Sequence, residues 1–174
     1  LQLKLRLGKL QLENQEQLMQ TYDEIVKAEY AISGIDGSAA QHDENIHKIL
    51  MTETDNADYF MVATWYRTAY YTSTMNTLLT VTGARNDGWG PWHELGHMHQ
   101  QSAWTWEELG ETTVNIYSLA AERKMGAQNS RLTRDNVWTE VMDYLIIPYA
   151  EKDFNASSTS VFARLAMFQQ LWLA

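Results

Sequence analysis

The sequence predicts a mainly helical α+β domain, and three observations support this fold class. Apolar residues recur at helical spacing over residues 13–32. The same spacing returns over residues 111–122 and in two segments after Gly126. Residues 58–71 are rich in aromatic and β-branched side chains, which favour strands. We therefore expect several packed helices and a small sheet.

The upstream part of the chain, residues 1–83, is expected to hold the strands and one long helix. Alternating leucines over residues 1–7 predict a half-buried strand. The helix over 13–32 should end at Ser33 and Gly34. Residues 35–57 contain many turn-forming residues and are expected to be irregular. Residues 58–71 suit a strand but do not exclude a helix, and the pattern of residues 74–81 is ambiguous.

The downstream part, residues 84–174, is expected to be helical. Glycines over residues 83–90 predict a loop that leads into a helix. A further helix is predicted over residues 111–126, starting at Gly110. Two more helices follow, the first capped by Thr133 and the second by Ser158 or Thr159.

The segment His93-Glu94-Leu95-Gly96-His97 has the pattern H-E-x-x-H, and Pro91 favours the first turn of a helix just before it. Helical residues four apart lie on one face, so His93 and His97 can bind the same metal ion. Glu94 then lies beside the metal and can hold a water. This pattern indicates a hydrolytic zinc site. The alternative is an exposed helix that carries two unrelated histidines.

A catalytic zinc site requires a third protein ligand. The metzincin pattern places Gly three residues and His six residues after the second histidine, but this chain has Gln100 and Ala103 there. A carboxylate from the following segment is therefore expected. The candidates are Glu107, Glu108 and Glu111.

The helical pattern favours Glu111 among these carboxylates, because Glu111 opens the helix predicted after Gly110. Asn115 lies one turn later on the same face and can accept the free ring N–H of a metal-bound histidine. Glu107 or Glu108 would have to bind from the connecting loop. If Glu111 is not a ligand, it is an acidic first-turn residue favoured by the helix dipole.

The stretch W-G-P-W-H-E-L-G-H-M-H-Q-Q over residues 89–101 resembles the enhancin-like, mucin-targeting metallopeptidases of viral enhancins and mucosal bacteria. Trp104-x-Trp106 and the segment G-E-T-T-V-N-I-Y-S-L over residues 110–119 belong to the same resemblance. It is strongest over residues 89–126 and looser over residues 22–36. The resemblance implies a zincin fold of gluzincin type, with an active-site helix and a following glutamate-bearing helix.

This resemblance implies a zinc-dependent endopeptidase that hydrolyses mucin-like O-glycosylated proteins and is secreted or located at the cell surface. It assigns one zinc ion to His93, His97 and Glu111, and the role of catalytic base to Glu94. Catalytic domains of this family are usually longer than 174 residues. We therefore expect residues 1–174 to be a single catalytic domain in partial form, with accessory carbohydrate-binding modules compatible with the full-length protein.

The residue that stabilises the transition state stays open at this stage. Side chains able to hold an oxyanion are Tyr117, His99, Arg67 and Tyr70. His99 lies two positions after His97 and points to another side of the helix, which predicts a packed or exposed histidine.

Aromatic residues are concentrated around the zinc motif, and they suit the wall of a cleft for sugars or extended peptides. The alternative is that the tryptophans pack the motif helix against its neighbours. The candidates for the cleft are Trp89, Trp104, Trp106 and Tyr117.

Composition excludes several classes of function. The net charge of −9 argues against nucleic-acid binding, which needs concentrated positive charge. No apolar run approaches the length of a membrane-spanning helix, about 20 residues. Cysteine is absent, so the chain has no disulfides and no thiolate site. Because the chain begins at Leu1 rather than Met, we expect the native start and any export signal to lie outside it.

Two alternative functions come from other classes. The chain could be a glycan- or protein-binding module that retains the peptidase fold without activity, but such a module has no need for His93, Glu94 and His97 together. It could also hold a structural zinc ion. Structural sites are usually closed by four protein ligands, often thiolates, which this chain lacks.

Overall fold

The computed structural model describes residues 2–4, 14–44 and 48–173, which form a small sheet and a set of packed helices. The strands are β1 (Gln2–Lys4), β2 (Leu50–Thr54), β3 (Met61–Ala63) and β4 (Arg67–Tyr71). The helices are α1 (Gln15–Ser33), α2 (Met75–Leu79), α3 (Val81–Asn86), α4 (Trp89–His99), α5 (Gly110–Lys124), α6 (Arg131–Arg134), α7 (Val137–Ile146) and α8 (Val161–Leu173). The predicted mainly helical α+β class is confirmed.

The sheet has the strand order β1-β2-β4-β3. Strands β1, β2 and β4 are parallel, whereas β3 runs antiparallel to β4, with Met61 opposite Tyr70 and Ala63 opposite Thr68. Among the described strands β3 therefore lies at an edge, and no described strand pairs with its other side. The strand favoured over residues 58–71 is correct in type, but the structure divides this segment into two short antiparallel strands, β3 and β4, joined by a turn.

Strand β2 contradicts the prediction that residues 35–57 are irregular. It pairs with β1 on one side and β4 on the other, so its structure depends on segments remote in sequence. The turn formers Asp55 and Asn56 mark only its end. The strand predicted over residues 1–7 is present as β1, and the other residues of that prediction lie outside the described residues.

Helix α1 confirms the first predicted helix. It begins after Asn14, whose side chain accepts the Gln17 N–H, and residue 13 of the prediction lies outside the described residues. It ends at Gly34, which has φ of 69° in the left-handed region that glycine adopts without strain.

Helix α3 contradicts the prediction of a loop over residues 83–90. The Thr80 hydroxyl accepts the Gly83 N–H at 3.0 Å and caps this helix. A Cβ on Gly83 would lie 2.7 Å from the Thr77 backbone. This glycine therefore permits close packing of α2 and α3 and does not mark a loop. Helix α3, which contains Gly83, leads directly to α4.

Helix α5 forms the centre of the helical part, and its residues from Thr112 to Glu122 are buried. It packs closely against α4 at Gly96, where an added Cβ would lie 2.9 Å from Tyr117 Cβ and 3.1 Å from Val114. Because Gly96 has no side chain, α4, which carries the H-E-x-x-H pattern, can pack closely against α5.

The C-terminal helices α7 and α8 confirm two predicted helices, but their caps differ from the prediction. Thr133 lies within α6, and α7 begins after Asn136, which has φ of 54°. For α8 it is the Ser160 hydroxyl that accepts a first-turn N–H, from Ala163 at 3.4 Å, rather than Ser158 or Thr159. Within the described residues, no helix combines the length and apolar character needed to cross a membrane.

Candidate metal centre

Helices α4 and α5 bring two histidines and one carboxylate together. His93 and His97 lie one turn apart on α4, and Glu111 lies in the first turn of α5. His93 Nε2 is 3.1 Å from Glu111 Oε2, and His97 Nε2 is 3.6 Å from Glu111 Oε1. One ligand atom from each residue falls within 4.8 Å of the others. Glu111 therefore occupies the position that the helical pattern favours for a third ligand.

Asn115 fixes the orientation of the His93 ring. Its Oδ1 lies 2.9 Å from His93 Nδ1 and accepts the Trp89 indole N–H at 3.0 Å, while its Nδ2 donates to the Glu111 carbonyl at 2.7 Å. The indole N–H can only donate and the carbonyl can only accept, so the amide oxygen faces the imidazole. His93 Nδ1 therefore carries a hydrogen, and in the neutral ring the Nε2 lone pair is directed toward Glu111.

These side chains fit a divalent cation. In the neutral state of His93, the carboxylate oxygens of Glu111 face the lone pair of His93 Nε2, and two acceptors at this distance are held together by a proton or a metal cation between them. Two imidazole nitrogens with one carboxylate are a donor set of catalytic zinc sites, which keep a fourth position open. The three side chains could therefore hold a zinc ion.

The electrostatics of the cluster favour an ionised carboxylate. When the imidazoles are protonated, their Nε2–H groups can donate to Glu111, and this pairing with His93 and His97 holds the pKa of Glu111 well below its usual range. Burial lowers the pKa of His93, but the hydrogen bonds to Glu111 and Asn115 outweigh it, and the pKa of His93 is raised. The cluster thus attracts a cation at neutral pH.

Glu94 lies beside the two histidines and is 7% exposed. Burial raises the pKa of the Glu94 carboxyl, an effect that His93 and His97 partly offset. The Ala63 N–H on β3 also donates to this carboxylate and lowers its pKa. A carboxyl whose pKa is shifted toward neutrality can both accept and return a proton.

A cavity of about 510 Å³ opens onto the cluster. Its walls are β3, the turn after it, one face of α4 and the start of α5. The residues are Met61, Val62, Ala63, Thr64, Trp65, His93, Glu94, His97, Met98 and Glu111. Trp65 is 90% exposed in the turn between β3 and β4. The sequence analysis missed Trp65 because it placed this residue inside one predicted strand.

The four aromatic candidates for the cleft are not among the residues that line this cavity. Tyr117 is fully buried, and its hydroxyl donates to the His99 carbonyl at 2.7 Å. The Trp89 indole N–H donates to Asn115 Oδ1 at 3.0 Å. The Trp104 and Trp106 N–H groups donate to Gln101 Oε1 and Asn155 Oδ1, at 3.2 and 3.1 Å. These contacts fix the segments around the site.

The candidates for transition-state stabilisation also lie away from the cavity lining. His99 packs in the interior, with Nδ1 2.7 Å from Glu29 Oε2 and its ring 4.9 Å from that of Tyr30. Tyr70 is fully buried. The Arg67 guanidinium lies over the Tyr66 ring at 5.5 Å. In this structure none of these side chains reaches the cavity wall.

Glu29 on α1 gives a prediction for the dependence of stability on pH. Burial raises the pKa of Glu29 from 4.5 to about 7, and the His99 hydrogen bond offsets part of that rise. Between these values the folded protein holds a proton that the unfolded chain has released. The contribution of Glu29 to the free energy of unfolding is therefore present at low pH and is lost as pH rises toward 7.

Glu29→Gln should remove this dependence. From pH 5 to pH 7 the wild type should lose up to about 2 kcal/mol more stability than the variant, as measured by urea unfolding. Glu16→Gln, at an exposed position of α1, should keep the wild-type dependence. Parallel pH profiles for wild type and Glu29→Gln would contradict this assignment.

Gln100 is a second contact that the sequence analysis missed, since it treated this residue only as a departure from the metzincin pattern. Its Oε1 lies 3.1 Å from His97 Nδ1. The signal in the sequence was its position three residues after His97, within reach of that side chain on the helix surface.

Comparison with known proteins identifies the family. The sequence matches the profile of peptidase M60, enhancin and enhancin-like, over residues 5–174. No curated protein matches the chain. A functionally unknown conserved protein from Bacillus anthracis strain Ames is 40% identical, with a TM-score of 0.80 over 90% of this chain and 32% of that chain.

Two further solved structures share the fold at lower identity. The M60 catalytic domain of Clostridium perfringens ZmpB, solved with two CBM32 domains, is 24% identical, with a TM-score of 0.70 over 91% of this chain and 16% of that chain. A metallopeptidase in complex with Tn antigen is 23% identical, with a TM-score of 0.70 over 90% of this chain and 29% of that chain. The chain spans about a third or less of these structures. Because the family profile covers almost the whole sequence, the chain belongs to the peptidase M60, enhancin and enhancin-like family.

Proposed function

We propose that this chain is a zinc-dependent endopeptidase that cleaves mucin-like O-glycosylated proteins. In this proposal His93, His97 and Glu111 are the zinc ligands and Glu94 is the catalytic base. The observation that carries it is the convergence of two imidazoles and a carboxylate at the wall of a cavity that the buried Glu94 also lines. We also propose that residues 1–174 belong to a single catalytic domain, in partial form and with the ligands in residues 84–174, and that the protein works outside the cell or on its surface.

The chemistry requires a proton acceptor that later becomes a donor. A zinc ion held by the three ligands would polarise the substrate carbonyl and acidify the attacking water. The Glu94 carboxylate accepts the proton of that water as the oxygen attacks the peptide carbon. It then donates the proton to the leaving nitrogen as the C–N bond breaks, which gives an amine and a carboxylic acid; the acid passes its remaining proton to the amine or to solvent and becomes a carboxylate. The raised pKa of Glu94 suits both steps.

Strand β3 supports a peptide as the substrate. Met61, Val62 and Ala63 line the cavity, and they belong to the edge strand of the described sheet. An extended peptide can pair with an exposed strand edge through main-chain hydrogen bonds. Ala63 also contacts the Glu94 carboxylate. A peptide paired along β3 would thus pass next to the proposed base.

Several features support a glycosylated substrate. Trp65 offers an exposed aromatic face at the cavity, and aromatic faces suit sugar rings. A structural relative was solved in complex with Tn antigen. The net charge of −9 provides no general attraction for sialylated or sulfated glycans. Recognition is therefore proposed to rest on stacking and main-chain contacts.

Trp65→Ala should weaken substrate binding without changing the chemical step. We expect KM for a glycopeptide to rise by about 3–10-fold, with kcat nearly unchanged, because one stacking contact is lost. Tyr149→Ala is the matched control, since Tyr149 is 93% exposed and does not line the cavity. An unchanged KM for Trp65→Ala would remove this residue from the proposed substrate site.

The proposal as a whole is tested by zinc analysis together with digestion of an O-glycosylated mucin and its deglycosylated form. One bound zinc and cleavage of the glycosylated mucin are expected. Cleavage of the deglycosylated form alone would overturn the proposed substrate class. Bound zinc with cleavage of neither would favour the alternative, a binding module that retains the peptidase fold.

A further inference from the structure

We propose that Gln100 is a positioning residue that holds the His97 ring in its metal-binding orientation and ties α4 to the first turn of α5. This inference rests on the proposed zinc site. Gln100 is the residue that ends α4, with an extended backbone at φ −63° and ψ 134°. Its partly buried side chain lies between the two helices that carry the proposed ligands.

The amide nitrogen of Gln100 is fixed by two acceptors. It donates to the Gly110 carbonyl at 2.8 Å and to Thr113 Oγ1 at 2.7 Å. A carbonyl can only accept, and Thr113 donates its own hydroxyl hydrogen to the Leu109 carbonyl at 3.0 Å. Reversal of the amide would place an oxygen against the Gly110 carbonyl, so the nitrogen must lie on this side.

The amide oxygen therefore faces His97 Nδ1 at 3.1 Å. Because an amide oxygen accepts hydrogen bonds only, Nδ1 must carry the ring hydrogen. In the neutral ring Nε2 is then free of hydrogen and turned toward Glu111, at 3.6 Å from Oε1. A neutral imidazole without such a partner can carry its hydrogen on either nitrogen. If Nε2 carries the hydrogen, that nitrogen has no free lone pair and cannot bind a metal ion.

Gln100 and Asn115 form a matched pair of contacts. Each amide oxygen faces an Nδ1 atom, of His97 and His93 respectively, at 3.1 and 2.9 Å. Each amide nitrogen donates to a carbonyl in the first turn of α5, from Gln100 to Gly110 and from Asn115 to Glu111. The same side chains that orient the rings thus set the distance between α4 and the helix that carries Glu111.

The chemistry of the two partners also matters. Imidazoles bound to metals often donate to a carboxylate, which makes the ring a stronger ligand. Here both partners are neutral amides, which fix the ring orientation without adding negative charge beside Glu111 and Glu94. A role in positioning therefore predicts effects on tautomer and metal affinity that a plain helix cap would not produce.

The test compares Gln100→Ala and Gln100→Glu with a control, Gln101→Ala. The control removes a neighbouring amide that donates to the Ser33 carbonyl at 2.8 Å and accepts from Trp104, away from the histidines. Zinc affinity is measured by competition with a chelator. The tautomer of each histidine is measured by ¹⁵N NMR of the metal-free protein, at a pH where the rings are neutral.

Gln100→Ala should lower zinc affinity by about 10–100-fold, the usual effect of removing a group that supports a metal ligand. His97 should then show both tautomers, while His93 keeps the Nδ1–H form. Gln100→Glu retains an acceptor and should keep the His97 Nδ1–H form, but it loses the donors to α5 and should lower Tm. The Gln101→Ala control should match the wild type in zinc affinity and in both tautomers.

Gln100→Ala with the zinc affinity and the His97 tautomer of the wild type would overturn the inference. If Gln100→Ala does not fold, loss of the Nδ1–H form in Gln100→Glu would overturn it instead. A wild-type protein that takes up no zinc would refute the proposed function. The tautomer measurement in metal-free protein would still decide the role of Gln100 in that case.

Discussion

Glu94→Gln is expected to lower kcat for peptide hydrolysis by about 10²–10⁴-fold, the range typical for loss of a general acid–base group. Glutamine has the same shape as glutamate but cannot take up the proton of the attacking water. Because Glu94 is not among the proposed ligands, zinc affinity should stay close to that of the wild type. The measurement is steady-state kinetics on a glycopeptide, with zinc content determined on the same samples.

Glu108→Gln is the matched control for this prediction. Glu108 is exposed and does not line the cavity, so its variant should retain full activity. Substantial activity in zinc-loaded Glu94→Gln would contradict the role of Glu94 as base. Loss of zinc from that variant would show instead that Glu94 takes part in metal binding.

Glu111→Gln should lower zinc affinity by more than about 100-fold, since even changes to groups that only support a ligand cost 10–100-fold. The substitution removes the negative charge that lies 3.1 Å from His93 Nε2 and 3.6 Å from His97 Nε2. The site would then have two neutral nitrogen ligands and a weakly binding amide. Chelator competition measures the affinity, and excess zinc should restore part of the activity.

Glu107→Gln tests whether the third zinc ligand comes from the segment that precedes α5 or from Glu111 in its first turn. Glu107 is exposed and lies outside the cluster that contains Glu111. Its variant should bind zinc like the wild type. Zinc loss from Glu107→Gln with normal binding in Glu111→Gln would favour a ligand from the connecting segment and contradict the geometry described above.

The features that could be predicted from sequence are those fixed by local geometry. Four-residue spacing on a helix places His93 and His97 on one face whatever the rest of the fold does. Glu111 and Asn115 lie on one face of α5 for the same reason, once the helix begins at Gly110. Helices α1, α5 and α8 follow from apolar periodicity because each buries apolar residues against its neighbours, and α7 follows the same periodicity although Val137 is its one buried residue.

The features that sequence reasoning missed depend on partners remote in the chain. Strand β2 is formed by pairing with β1 and β4, and no local pattern predicts that pairing. Trp65 reaches the cavity because the chain reverses direction between β3 and β4, at the edge of the sheet. The contacts of Gln100 depend on the close approach of α4 and α5 at Gly96. None of these is encoded in the spacing of a single helix or strand.

The zinc centre is tested most directly by a crystal structure of the zinc-loaded protein, with anomalous diffraction measured at the zinc absorption edge. We expect one strong anomalous peak, bonded by Nε2 of His93 and of His97 at about 2.0–2.1 Å and by a Glu111 carboxylate oxygen, with Glu94 beside it and not bonded. A zinc peak on other side chains, or no peak between α4 and α5, would contradict the assignment of the metal centre.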